Sequence, residues 1–242
     1  MQLLFDDSDE HIDGHCDPDL RLDRVLGCAE KSLDPKMLLD PLEEQFYLPA
    51  VIPRRSLESA MDPEVNFCSA CGCPVNLTVP PGDNMPRHVC DSCQTIHYHN
   101  PKLVVGSLPV WGEQVLLCRR AIEPRHGKWT LPAGFMENGE TVADAAIRET
   151  REEACARIAL GEVSTMISLP HISQVHVIYL AELLDQDFAA GEETLELRLF
   201  REDEIPWDEI AFRTIHLTLK HYFADRREGR FQFRALELKP YE

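Results

Sequence analysis

Residues 134–156 read GFMENGETVADAAIRETREEACA, and this stretch decides how the rest of the chain is interpreted. It begins with a loop that contains Gly134, Gly139 and Glu140, and it continues into a predicted helix. Near its far end the helix carries Arg148, Glu149, Glu152 and Glu153. Because residues three and four positions apart share one face of a helix, the three carboxylates are predicted to lie together.

The helix face that ends in these glutamates begins with small apolar residues. At 3.6 residues per turn, the same stripe contains Val142, Ala145 and Ala146. A neighbouring stripe is also small or apolar, and it comprises Ala143, Ile147, Thr150 and Ala154. The remaining side is polar and can be solvated; it comprises Thr141, Asp144, Arg148 and Arg151. Runs of charge are usually solvated, but this pattern predicts that the carboxylates lie at the edge of a packed surface.

Carboxylates held this close repel one another, and each pKa rises unless a cation neutralises the group. Hard divalent ions prefer oxygen ligands, and magnesium is commonly held by a few carboxylates together with water and substrate phosphates. The sequence therefore predicts a Mg²⁺ or Mn²⁺ site at Glu149, Glu152 and Glu153.

The stretch resembles the Nudix box, in which Gly, five residues, Glu, seven residues and Arg-Glu-x-x-Glu-Glu follow in order. All six places are filled, by Gly134, Glu140, Arg148, Glu149, Glu152 and Glu153. There are two departures from the pattern. Thr150 occupies an apolar place, and Cys155 occupies the place of a Gly that would supply positive φ at the helix end. Neither departure removes a charged group.

The formal net charge of −18 opposes non-specific binding to nucleic acid or to an anionic membrane surface, because both depend on Lys and Arg. No apolar run is long enough to cross a membrane, and the first residues, MQLLFDDSDE, lack the features of a secretory signal. These features predict a cytoplasmic protein with no nucleic-acid and no membrane partner, and the Nudix resemblance implies that its ligand is a small nucleotide.

Residues 1–60 form an acidic extension with turn signals such as DPDL and LDPK and only scattered apolar clusters. No core can be assigned to them. Met61 directly precedes DPEVNFCSAC, so one hypothesis is that the functional module starts there. Cys16 and Cys28 belong to no motif and are interpreted as ordinary thiols.

Two CxxC pairs follow within residues 61–100. They are Cys68 with Cys71 and, after eighteen intervening residues, Cys90 with Cys93. This spacing is typical of four thiolates around one structural Zn²⁺, which would fold about thirty residues that are too few to bury a core alone. The alternative is a pair of redox dithiols, but that motif expects a thioredoxin-like context. Cys73 is interpreted as a spare thiol, and His88, His97 and His99 as surface or loop histidines.

From residue 101 onward the pattern changes to apolar strands. Strands are predicted over 103–110, 114–118, 158–166 and 175–183, and Leu195, Leu197 and Leu199 alternate in another. A helix is predicted from about Ile210 to Phe223, with Ile215, Leu219, Tyr222 and Phe223 on its buried side. Phe231 and Phe233 suggest a last short strand. Between the second strand and the box, Arg119, Arg120 and Arg125 form a basic cluster that can contact substrate phosphate.

Taken together, residues 66–242 resemble the zinc-ribbon Nudix hydrolases, especially the FAD and ADP-ribose pyrophosphatases. The resemblance rests on the ribbon, on HYHNPKLVVG, on HGKWTLPAGFMENGET and on RLFREDEIPWDEIAF. It implies an α/β/α sandwich with a mixed sheet over 101–242, preceded by the ribbon, and dimers are common in the family. NADH pyrophosphatases carry Ser-Gln-Pro-Trp-Pro-Phe-Pro downstream of the box, whereas this chain has SLPHISQVHVIYLA, in which Pro170 resembles a proline of ADP-ribose hydrolysers.

The residues and the resemblance together imply metal-dependent hydrolysis of a nucleoside diphosphate derivative, releasing AMP. Catalytic roles are predicted for Arg148, Glu149, Glu152 and Glu153, with Glu152 or Glu153 as the general base and Glu137 as an alternative. Substrate contacts are predicted at Arg119, Arg120, Gly134, Glu137 and Glu140. Two other hypotheses stay open: a different substrate such as NADH, a dinucleoside polyphosphate or coenzyme A, and a non-enzymatic ribbon protein that binds nucleic acid or a regulator.

Overall fold

The computed structural model describes residues 65–240 of the 242-residue chain. The predictions about the acidic extension, the start at Met61, and the thiols of Cys16 and Cys28 lie outside the described residues. No helix of the described part is long and apolar enough to cross a membrane.

A small three-stranded antiparallel sheet forms the first part of the described chain. Its strands are β1 (Val75–Thr78), β2 (Arg87–Cys90) and β3 (Ile96–His97), in the order β1-β2-β3. Each CxxC pair forms a tight turn in which a backbone amide returns to the first cysteine: Gly72 donates to the Cys68 carbonyl and Gln94 donates to the Cys90 carbonyl, both at 2.8 Å. Val89 is the one aliphatic residue buried in this sheet, so its strands have little apolar core of their own.

A second sheet of eight strands organises the rest of the described chain. Its strands are β4 (Lys102–Trp111), β5 (Gln114–Arg120), β6 (Trp129–Thr130), β7 (Ala133–Phe135), β8 (Ile158–Leu169), β9 (Gln174–Leu183), β10 (Thr194–Phe200) and β11 (Arg234–Glu237). The order is β10-β5-β4-β9-β8-β11, with β6 paired to β5 and β7 paired to β4. The β4–β9 and β8–β11 pairs are parallel and the others antiparallel, so the predicted mixed sheet is confirmed.

Two helices, α1 (Val142–Ala154) and α2 (Arg213–Glu228), cover opposite faces of this sheet. On β4, Val105 packs with residues of α1, whereas Leu108 packs with residues of α2. Side chains three positions apart on a strand point to opposite faces. The architecture is therefore the predicted α/β/α sandwich.

Helix α1 begins at a capping box and ends at a left-handed residue. The Thr141 hydroxyl accepts a hydrogen bond from the Asp144 amide, and the Asp144 carboxylate accepts one from the Thr141 amide. At the other end Cys155 adopts φ 47°, the conformation that a Gly would adopt with less strain. On the neighbouring small or apolar stripe, Thr150 and Ala154 are buried but the Ile147 side chain is exposed.

Helix α2 begins three residues later than predicted. The Ala211 amide donates to the Trp129 carbonyl at 2.8 Å, and Ile210 bridges to Trp129, so this segment is extended along β6 before the helix starts. The predicted buried side is confirmed, since Ile215, Leu219, Tyr222 and Phe223 all belong to the main core.

The last strand also begins later than predicted. Phe231 and Phe233 precede β11 and are exposed, because Asp225 accepts hydrogen bonds from the Gln232 amide and the Arg234 guanidinium and so shapes the preceding turn. In β10 the alternation predicted for the leucines is only partly realised, as Leu195 is exposed at the edge of the sheet.

Candidate active site

A glycine in strand β7 leaves room for one of the glutamates of helix α1. Gly134 lies in β7, and a Cβ built on it would fall 2.4 Å from both carboxylate oxygens of Glu149. Only a residue without a side chain leaves room for that carboxylate. Glu149 is buried, with 8% of its surface exposed.

Arg148 connects the box loop to the helix. It donates to both carboxylate oxygens of Glu140, at 2.9 and 2.8 Å. The same guanidinium donates to Glu149 at 2.8 Å, to Glu152 at 2.9 Å and to the Phe135 carbonyl at 3.1 Å. The pKa of Glu140 is lowered to about 2, chiefly by its hydrogen bond from Arg148. The sequence predicted that Arg148 lies on a polar side of α1 that can be solvated. In the structure Arg148 instead connects α1 to the box loop and holds the loop in place.

Glu153 is the second buried carboxylate of α1, again with 8% of its surface exposed. Burial raises its pKa to about 8, and the nearby charge of Glu149 adds to the rise, while the Ala133 backbone amide and Arg120 oppose it. Burial also raises the pKa of Glu149, against the effect of Arg148. These two buried carboxyl groups form an acidic cluster, called the acidic pocket below, in which the charge of Glu149 disfavours ionisation of Glu153.

Glu152 differs from its neighbours, because 58% of its side chain is exposed. The three helix glutamates do not converge as closely as the cysteines do. Among residues 65–240, the four cysteines of the CxxC pairs are the one group in which three or more metal-ligating atoms all lie within 4.8 Å of one another.

Glu193, an exposed residue, lies within electrostatic range of these two buried carboxylates, and the sequence analysis missed it. Its charge raises the pKa of both Glu149 and Glu153. The loop that carries it is fastened to the end of α1, since the Gly191 amide donates to the Glu153 carbonyl at 3.0 Å and a Cβ on Gly191 would clash with the Glu152 carbonyl. Glu193 lies forty residues after Glu153, outside any motif, so only the fold brings them together.

The two predicted substrate arginines have different surroundings. Arg119 donates to the Gly127 carbonyl at 3.0 Å and pairs with Glu196 at 3.3 Å. Arg120 donates through Nε to the Pro124 carbonyl at 2.9 Å, and its charge acts on Glu153. The structure thus brings Arg120 into the electrostatic range of Glu153, whereas the charge of Arg119 is paired with Glu196.

The box loop borders a surface cavity of about 540 Å³. Glu137 and Glu140 both line it; the Glu137 amide donates to Glu140, and the Glu137 side chain is exposed. A second cavity of about 460 Å³ lies along the outer side of α1, next to Ile147 and Glu152. The buried carboxylates of Glu149 and Glu153 line neither.

The four ribbon cysteines fit one zinc ion. The Cys68 and Cys93 sulfurs are 3.6 Å apart, and the Cys71 and Cys90 sulfurs are 3.5 Å apart. Tetrahedral ligands 2.3 Å from zinc are about 3.8 Å from one another. Hydrogen bonds from Thr95 lower the pKa of Cys93 to about 6, whereas hydrogen bonds with the other three cysteines raise the pKa of Cys71.

Family models match both parts of the described chain. The model described as NUDIX domain matches residues 100–220, and the model described as Nudix N-terminal, a zinc ribbon, matches residues 66–99. The chain belongs to the Nudix hydrolase family. The zinc-ribbon Nudix identity predicted from the sequence is thereby confirmed.

This Nudix chain is similar to several characterised proteins. It is 27% identical to an ADP-ribose pyrophosphatase of Methanocaldococcus jannaschii over 113 residues, which cover 45% of this chain and 67% of that protein. It is 27% identical to the NAD-capped RNA hydrolase NudC of Salmonella heidelberg over 143 residues, which cover 58% of this chain and 53% of NudC. The match therefore spans about half the length of NudC.

A solved structure gives a longer match. The crystal structure of a Nudix hydrolase from Nitrosomonas europaea is 54% identical, with a TM-score of 0.71, over 73% of this chain and 100% of that one. This level of identity extends the likeness from the fold to much of the sequence.

Proposed function

We propose that this Nudix protein hydrolyses the pyrophosphate bond of a nucleoside diphosphate derivative, most closely ADP-ribose or FAD, and releases AMP. The observation that carries the proposal is the burial of Glu149 and Glu153 in one pocket, with Glu193 in electrostatic range. Two buried carboxylates without a cation would destabilise the fold. A cluster of buried carboxylates fits a divalent metal, which in turn binds phosphate oxygens.

Magnesium or manganese would be held by Glu149, Glu152 and Glu153, with Glu193 as a further oxygen ligand. The donor set is all carboxylate, which suits hard cations. Such an ion lowers the pKa of bound water and offsets the charge that develops on the phosphate oxygens. The exposed position of Glu152 leaves it able to turn toward the pocket.

The other box residues orient these carboxylates. Arg148 fixes the Glu149 carboxylate through a 2.8 Å hydrogen bond, and Gly134 leaves the space that this carboxylate occupies. A carboxylate oxygen of Glu152 or Glu153 accepts the proton of the attacking water, with Glu137 on the loop as the alternative. Arg120 binds a phosphate group of the substrate through its charge.

The ribbon has a structural role in this proposal. Four thiolates satisfy Zn²⁺ and leave no position for substrate. In keeping with the family resemblance, we expect a cytoplasmic homodimer; light scattering on the purified protein measures the oligomeric state.

A second candidate substrate is NADH or another NAD-linked molecule. The similarity to proteins named NAD-capped RNA hydrolase favours it. The sequence SLPHISQVHVIYLA, which stands where NADH pyrophosphatases carry their signature, opposes it. We therefore rank it behind ADP-ribose and FAD.

The deciding experiment is a substrate panel. ADP-ribose, FAD, NADH and nucleoside triphosphates are each incubated with Mg²⁺ and with Mn²⁺, and the products are analysed for AMP by chromatography. We expect AMP from ADP-ribose or FAD and none without metal. Faster release of AMP from NADH would favour the second candidate, and no release from any substrate would refute the proposed function.

A further inference from the structure

Arg120 makes an unusual pair of contacts for an arginine beside an acidic pocket. The guanidinium carbon lies 5.1 Å from the centroid of the Phe212 ring, and Nε donates to the Pro124 carbonyl at 2.9 Å. One side of the group is therefore held by an aromatic ring and one nitrogen by a backbone oxygen. Neither partner is an anion.

The terminal nitrogens of Arg120 keep their capacity to donate. Within residues 65–240, neither terminal nitrogen makes a hydrogen bond or an ion pair. Arg119, by contrast, pairs with Glu196 at 3.3 Å, which offsets its charge. A guanidinium fork binds planar and tetrahedral oxyanions through two parallel hydrogen bonds. Arg120 has this fork available, and its charge acts on Glu153.

Phe212 lies in a part of the chain that is held in place, so its ring can restrict the neighbouring Arg120 side chain. It is the last extended residue before α2, with φ −132°, and the preceding Ala211 amide is bonded to the Trp129 carbonyl at 2.8 Å. Its ring is partly buried and packs against the main core. The backbone just before Phe212 is therefore held by β6 and the ring is held by the core, so that the ring can restrict the guanidinium without neutralising it.

We propose that Phe212 is a positioning residue, whose ring holds the Arg120 guanidinium in place to bind a phosphate group of a nucleoside diphosphate substrate. The inference rests on the proposed function, because it assumes that the acidic pocket handles the neighbouring phosphate. An acidic partner would hold the guanidinium equally well but would compete with the phosphate for its charge. An aromatic ring orders the arginine and leaves the charge for the ligand.

A double-mutant cycle tests the inference. Inorganic pyrophosphate is titrated calorimetrically, in the presence of Mg²⁺, into the wild type, Phe212→Leu, Arg120→Met and the double variant. We expect Phe212→Leu to weaken binding roughly tenfold and to have little effect once Arg120 is replaced. In turnover assays the same change should raise KM while kcat changes less, and Phe212→Tyr should retain most of the affinity.

The control is Phe233→Leu, the same replacement at an exposed phenylalanine in a later segment. It should change neither the affinity for pyrophosphate nor KM. Thermal melts identify any loss of folding, and Phe212→Tyr keeps the test valid if the leucine variant is unstable. Equal losses from Phe212→Leu in the presence and absence of Arg120, no loss at all, or wild type that does not bind pyrophosphate would overturn the inference. Failure of the proposed function is a separate result, namely wild type that binds pyrophosphate but releases no AMP from any substrate.

Discussion

Gly134 lies directly against the Glu149 carboxylate, and a Cβ at residue 134 would fall 2.4 Å from both of its oxygens. Because the neighbouring atoms belong to a buried carboxylate, Gly134→Ala must displace it. We expect turnover to fall by at least roughly tenfold while the fold is retained, since a small displacement of the proposed metal ligand is enough to impair catalysis.

The matched control for Gly134→Ala is the same change in a Glu149→Ala background. There the clash is gone, so the glycine replacement should cost almost no stability in urea denaturation. An equal loss of stability in both backgrounds would show that Gly134 is required for the strand and not for the carboxylate.

The carboxylates of the pocket make different contributions. We expect Glu152→Gln to lower kcat by at least roughly a hundredfold without unfolding the protein. Glu193→Gln should instead raise the Mg²⁺ concentration that gives half-maximal activity, because it removes one negative charge from the pocket. Glu192→Gln changes the adjacent exposed residue and should leave the metal titration unchanged. A normal metal titration for Glu193→Gln would remove Glu193 from the site.

A buried hydroxyl pair replaces the apolar contact that the Nudix pattern leads one to expect at residue 150. Thr150 is fully buried; its hydroxyl donates to the Ala146 carbonyl at 2.7 Å and lies 2.6 Å from the Ser107 hydroxyl on β4. Thr150→Val leaves Ser107 without this partner, which should lower the free energy of unfolding by about 1–3 kcal/mol. The Ser107→Ala/Thr150→Val double variant should recover part of the loss in urea denaturation. A double variant that is as unstable as the sum of the single changes would contradict this pairing.

His176 should make stability depend on pH. Its ring contacts Thr214 at 3.2 Å and Gln174 at 3.0 Å, and burial lowers its pKa from 6.5 to about 4. The unfolded chain therefore binds a proton at His176 more readily than the folded protein does. The contribution of His176 to the free energy of unfolding is complete above pH 6.5 and is lost as the pH falls toward about 4. Over that range the free energy of unfolding should fall by at most about 1.4 kcal/mol for each pH unit.

The measurement is the free energy of urea unfolding at several pH values for the wild type and His176→Gln. The difference between the two should shrink as the pH falls. His126→Gln, at an exposed loop position, should show the same pH dependence as the wild type. Parallel curves for the wild type and His176→Gln would rule out the contribution of His176.

The cysteine assignment predicts the metal content of the ribbon. Cys71→Ser should reduce bound zinc from about one per chain to nearly none, because it removes one of four tetrahedral ligands. Cys73→Ser should retain zinc, since that sulfur lies outside the cluster of four. Elemental analysis of the purified variants measures both. Retention of zinc by Cys71→Ser, or its loss from Cys73→Ser, would mean that the ligand set includes Cys73.

The parts of the site that the sequence reveals are those that depend on local geometry. The Arg148–Glu140 pair, the sharing of one face by Ala145, Ala146 and Glu149, and the two CxxC turns all follow from spacing along the chain. Helix period and turn geometry involve neighbouring residues only. Such features survive in any fold that contains the segment.

Other features depend on contacts between distant segments. The sequence places Glu152 and Glu153 on one face, yet Glu153 is buried and Glu152 is mostly exposed, because the strands and the loop that carries Gly191 cover only one of them. Packing between distant segments also decides that the Ile147 side chain is exposed. It likewise decides that the residues just before α2 are extended, since the Ala211 amide donates to the Trp129 carbonyl.

By itself, then, the sequence determined which chemical groups α1 and the ribbon carry, since these follow from residue identity and local period. Only the tertiary structure decided which groups meet. Glu193 joins Glu149 and Glu153, and Arg120 joins Phe212, because strands far apart in the chain are hydrogen-bonded side by side. The physical reason is that burial and electrostatic distance are properties of packed surfaces, which no single segment contains.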